Sequence, residues 1–196
     1  MIAFLAKTFS GAQLLLRLEP EGRRLTGDEI AVLETVFRDT VDYSDVLIKE
    51  GRIGAMGASG RAFTLCNTIY IPGLNGSGYG PPGSDGYLRL LVHEVVHIWQ
   101  FQNGGTDYIT ASVTAQLGGW WRGKGMSYAY RYERGIKEGL SWEQLGPEQQ
   151  AKLIEDAYAH GFFSDPNAQL IGSDGETYTG HAKVAVEELR ARRGAA

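Results

Sequence analysis

The chain has 196 residues, 43% of them hydrophobic and 21% charged, which suits one globular core and argues against a large multidomain assembly. Nineteen Lys and Arg against 23 Asp and Glu give a formal charge of −4, so no cationic footprint for nucleic acid or an anionic bilayer is present. A single cysteine, Cys66, excludes an intramolecular disulfide framework and a Cys-rich zinc site, so that any metal must be held by His, Asp or Glu.

In chain order, residues 1–24 carry a Leu14 to Leu16 cluster without a clear period and read as an N-terminal extension. They lack the basic-then-apolar order of an export signal, and no later apolar run approaches the ~20 residues that span a bilayer. The expectation is a soluble chain, cytoplasmic before any specialised export, with neither a nucleic-acid partner nor membrane insertion. Thr26-Gly27-Asp28-Glu29 has the form of a capping box. Ile30, Leu33, Val36 and Phe37 follow at helical spacing and predict an amphipathic helix ending near Asp39. Val46-Leu47-Ile48 predicts a short strand. Residues 62–71, with Phe63, Leu65, Ile69 and Ile71 in partial alternation, predict one longer strand that contains Cys66 as an inert core residue.

Glycine, at 27 residues, is about twice its usual ~7% and is clustered, so loops should be prominent. Residues 73–86, with Pro81-Pro82, form such a loop. A helix then starts at Ser84 or Asp85 and runs to Asn103-Gly104-Gly105. Leu88, Leu91, Val92, Val95, Val96 and Trp99 give it a broad apolar arc, predicting a largely buried helix. Further on, residues 109–117 suggest a helix, Trp120-Trp121 sits in a turn, and Pro147 starts a helix over residues 148–159. Residues 182–193 form a last, solvated helix with a basic end.

The buried helix carries His93-Glu94-Val95-Val96-His97, an H-E-x-x-H pattern. Residues four apart share a helical face, so both imidazoles can reach one tetrahedral Zn²⁺. The intervening glutamate is offset enough to act on water as a base instead of coordinating. Two core histidines bonded to backbone carbonyls would be the structural alternative. A carboxylate between them, costly to bury unpaired, favours a metal. The pattern continues as Ile98-Trp99-Gln100-Phe101-Gln102-Asn103, without the later Gly and His of the longer metzincin motif. A third ligand must therefore come from elsewhere. Glu148, in a helical first turn and followed three residues later by the small Ala151, is one candidate; Glu133, Asp156, His160 and His181 are the others. Tyr128, Tyr130, Tyr158 and His160 are candidates for stabilising an oxyanion.

Asn67-Thr68-Ile69-Tyr70-Ile71-Pro72, His93 to Gln100, Tyr128-Ala129-Tyr130 and Glu148-Gln149-Gln150-Ala151 together resemble the small bacterial zincin-like proteins called Vgr-related. These are similar to peptidase domains found among contractile injection and type VI secretion genes. The likeness covers about residues 25–158. It implies an α+β fold with a compact, gluzincin-like core, in which a small sheet packs on the active-site helix and a second helix brings the acidic ligand. By resemblance His93, His97 and Glu148 hold Zn²⁺, Glu94 is the general base, and a peptide or protein is the substrate. Tyr130 is taken as the oxyanion donor. Residues 25–160 would then form the zincin-like domain, with 161–196 a C-terminal extension. The competing expectation is a zincin-shaped adaptor that docks onto a secretion-system component and cleaves nothing.

Overall fold

The computed structural model describes residues 22–51, 61–72, 79–104 and 130–195. The expectations for residues 1–21, the helix over 109–117, Trp120-Trp121 and Tyr128 fall outside them. The protein has an α+β fold in which a four-stranded mixed sheet lies beside a long central helix.

Strand β1 (Arg23–Arg24) pairs antiparallel with β2 (Leu47–Glu50), and β2 runs parallel to β4 (Thr68–Ile71). The edge is β3 (Phe63–Leu65), antiparallel to β4. Helix α1 (Gly27–Phe37) follows β1 and opens with both arms of the predicted capping box. Thr26 Oγ1 accepts from the Glu29 amide at 3.2 Å, and Glu29 Oε2 accepts from the Thr26 amide at 2.8 Å.

The strand expected over residues 62–71 is instead a hairpin, because Cys66 takes φ 54° and the chain reverses through Cys66-Asn67. A two-residue turn places Leu65 opposite Thr68 and so exchanges the two faces of the alternation. Ile69 and Ile71 enter the main core with Thr64 on their side, whereas Phe63 stacks on Tyr70 at 4.8 Å on the other side. Cys66 is buried, but as a turn residue.

Helix α2 (Asp85–Gly104) is the axis of the molecule, with every residue from Leu90 to Gln100 buried. Its first turn needs Gly86, since a Cβ there would lie 2.6 Å from the Tyr79 carbonyl oxygen. A short helix α3 (Tyr132–Lys137) and a 3₁₀ turn (Trp142–Gln144) lead to α4 (Pro147–Ala159), which packs along α2. Ala151, fully buried, allows that close approach. The last helix, α5 (Thr179–Arg190), is less solvated than its composition suggests. It buries Ala182, Ala185 and Leu189 against α4 and α1, and Trp99 Nε1 donates to the Leu189 carbonyl at 3.1 Å. None of the described helices is long and apolar enough to cross a membrane.

Candidate metal centre

The helical repeat of α2 sets His93 and His97 one turn apart on the face toward α4, with ring centroids 5.1 Å apart and planes nearly perpendicular. Glu148 meets them from the first turn of α4. Pro147 occupies the first helical position, and Gln149 Oε1 accepts from the Gly146 amide at 3.0 Å. One oxygen, Glu148 Oε2, lies 3.2 Å from His93 Nε2 and 3.4 Å from His97 Nε2. The three residues present ligand atoms all within 4.8 Å of one another, the only such cluster of three or more His, Cys, Asp or Glu among the described residues.

The chemistry of this set fits a tetrahedral Zn²⁺, whose ligands at ~2.0–2.1 Å stand roughly 3.3 Å from each other. The outer nitrogens are tied as a metal site requires. His93 Nδ1 donates to Glu155 Oε2 at 3.1 Å, and His97 Nδ1 donates to Gln100 Oε1 at 2.8 Å. Each Nε2 is thereby turned toward Glu148. Glu155 sits two turns after Glu148 on the same face of α4, and Lys152 Nζ holds its other oxygen at 2.9 Å. Gln100 is itself held, its Nε2 donating to Gln150 Oε1 at 2.9 Å and to the Pro147 carbonyl at 3.2 Å.

Burial opposes charge on both imidazoles. The carboxylate of Glu148, joined by Glu155 at His93, more than reverses it, so both histidine pKa values are raised. Burial likewise opposes the Glu148 carboxylate, yet the two histidines hold it well below the usual range. Glu94 behaves differently: burial pushes its carboxyl up despite the histidines and Thr64. Thr64 Oγ1 donates to Glu94 Oε2 at 2.8 Å, an orienting contact made possible by the hairpin that turns Thr64 toward α2.

His93 and Glu94 open onto a cleft of about 500 Å³, also lined by Arg61, Tyr79, Arg89 and Tyr130. The Tyr130 ring stacks on His93 at 5.9 Å. The other candidate ligands lie elsewhere. Glu133 accepts from Ser173, Asp156 is paired with Lys152, and His160 is exposed at the end of α4. His181 is exposed on α5. Tyr158 is half-buried beside Asp85. Thr64, Glu155 and Arg61 were not foreseen. Only Glu155 had a signal, its seven-residue spacing from Glu148.

The described residues thus define an α+β fold in which an H-E-x-x-H helix and a converging carboxylate form a candidate metal site. The particular similarity is to VgrG2b of Pseudomonas aeruginosa. The chain is 27% identical over 139 residues to that organism's type VI secretion system spike protein VgrG2b, a match covering 70% of this chain and 13% of the relative. The solved effector domain of VgrG2b superposes with a TM-score of 0.59 at 21% identity, covering 93% of this chain and 95% of that one. No protein-family model matches the chain.

Proposed function

We propose that this chain is a zinc-dependent peptidase in which His93, His97 and Glu148 hold the ion and Glu94 is the general base. One observation carries the reading: two Nε2 atoms and one carboxylate oxygen converge beside an open cleft, with a second, unshared carboxylate next to them. Zinc supplies there the acidity that makes water a nucleophile near neutral pH and the charge that polarises a peptide carbonyl. Glu94, buried and oriented by Thr64, accepts the proton of the attacking water and passes it to the leaving amine. Tyr130 is the proposed oxyanion donor. Burial, with the charges of Glu148 and Glu94, pushes its pKa up, which keeps the phenol protonated. The similarity to a spike protein's effector domain makes a type VI secretion component the proposed partner, and a peptide or protein the proposed substrate.

The test is the variant Glu94→Gln. Zinc content measured by elemental analysis should stay near one per chain, while peptide hydrolysis falls by about 10³-fold. Undiminished activity would remove Glu94 as base, and a native protein purified without bound metal would remove the zinc reading.

A second reading is favoured by one contact pattern. His93 bridges two carboxylates, Glu148 and Glu155, through its two nitrogens, so a protonated ring alone would satisfy the cluster. On that basis the protein is a zincin-shaped adaptor without catalysis, with or without a structural metal, and peptide hydrolysis by the zinc-loaded native protein, lost in Glu94→Gln, separates the two.

A further inference from the structure

The cleft has a charge character that the whole molecule lacks. In a chain of net charge −4, three cationic side chains line it, namely Arg61, Arg89 and Lys152, against the carboxylates of Glu94 and Glu155. Two of the cations are already answered. Lys152 Nζ lies 2.9 Å from both Glu155 and Asp156, and Arg89 reaches the same pair at 3.3 and 3.6 Å. Arg61 has no carboxylate in ion-pair range among the described residues.

Arg61 is placed to face a ligand. It lies two residues before the edge strand β3, on the exposed rim of the cleft. Its guanidinium stands 5.8 Å from the centroid of the Tyr130 ring, and the same ring stacks on His93. The order Arg61, Tyr130, His93 therefore runs from the rim to the metal cluster. Arg61 also hydrogen-bonds the Tyr130 phenol, which fixes the guanidinium over the ring while the remaining N–H donors of its planar fork match a carboxylate.

We infer that Arg61 selects acidic peptides by receiving an Asp or Glu side-chain carboxylate near the scissile bond. The inference rests on the peptidase reading and names its substrate class. A C-terminal carboxylate has the same chemistry, and the test below distinguishes the two sources. Carboxylate recognition at the rim is separate from the chemistry at Glu94, so binding can be read without turnover.

The probes are fluorescently labelled, C-terminally amidated hexapeptides carrying Glu at each position in turn, with matched Gln peptides and a Gln peptide with a free C-terminus. Binding to zinc-loaded Glu94→Gln protein is measured by anisotropy, and hydrolysis by the unmodified protein is measured in parallel. At one or two positions the Glu peptide should bind about 10-fold more tightly than its Gln partner. In the double variant Arg61→Gln, Glu94→Gln that ratio should fall to near one, and Arg61→Glu should favour a Lys peptide. A ratio unchanged by Arg61→Gln would overturn the inference, as would equal binding of Glu and Gln peptides throughout or discrimination confined to the free C-terminus. Absence of hydrolysis with Arg61-dependent discrimination intact would overturn the peptidase reading alone.

Discussion

Glu155 does not belong to the His93, His97, Glu148 cluster, yet it determines which way the His93 ring points. Its carboxylate takes the Nδ1 proton at 3.1 Å, and Lys152 and Arg89 keep that carboxylate from swinging out to solvent. Partners of this kind typically account for 10- to 100-fold in metal affinity. Glu155→Gln should therefore weaken zinc binding by about 10- to 100-fold in a competition titration, with the far-ultraviolet circular dichroism unchanged. An unaltered affinity would mean that packing alone orients the ring. Thr64 does for Glu94 what Glu155 does for His93; each contact joins residues on different elements, and only Glu155 carries a sequence signal, its spacing from Glu148 along α4.

At the level of elements, α1 shows local chemistry recruited to hold distant parts together. The Glu29 carboxylate that completes the capping box also takes two bonds from Arg23, at 2.8 and 2.7 Å, and one from Tyr87 Oη at 2.6 Å. It thus ties β1, α1 and α2 at one point. Burial pushes this carboxyl up, but Arg23, Tyr87 and the Thr26 amide outweigh that and hold its pKa at about 2, against an ordinary value of 4.5. A depressed pKa stabilises the fold above the unfolded value, and that contribution is lost as pH falls through the folded value. Glu29→Gln should cost about 2–3 kcal/mol in urea unfolding at pH 7, and the difference from the native chain should shrink between pH 4.5 and 2. A pH-independent difference would assign the effect to packing. The capping box was readable from four consecutive residues; the ties to Arg23 and Tyr87 were not, since Tyr87 lies 58 residues away from Glu29.

Among the described residues, α2 threads the larger of two hydrophobic core clusters, the smaller being the Phe63 and Tyr70 stack. Leu170, Tyr178, Ala182, Ala185 and Leu189 join that core with the sheet and the first helix. The C-terminal strand of contacts continues through Trp142 Nε1 to the Arg193 carbonyl at 3.1 Å and Gln150 Nε2 to the Gly194 carbonyl at 2.7 Å. The candidate metal centre joins α2 to α4, the pair with the most extensive contact, so a bound ion should stabilise the entire fold. At zinc 100-fold above its dissociation constant the gain is about 2.7 kcal/mol, or roughly 5–10 °C in Tm for a chain of this size. Differential scanning fluorimetry with zinc and with chelator should show that rise, and His97→Ala should abolish it. Equal melting temperatures in the two conditions would deny the site its metal.

Sequence alone was sufficient for whatever repeats within a few residues: the cap at Thr26, the start of α4 at Pro147, and two imidazoles four positions apart on a buried helix. Helical geometry obliges such neighbours to share a face, so their spacing is already a statement about space. Packing settled the rest. Among the acidic candidates it selected Glu148 to meet the imidazoles across 55 residues, and it turned the chain at Cys66 so that Thr64 faces Glu94. No periodicity encodes these outcomes, because they depend on how α4 and the β3–β4 hairpin dock against α2, a balance of buried surface and polar satisfaction over the whole core.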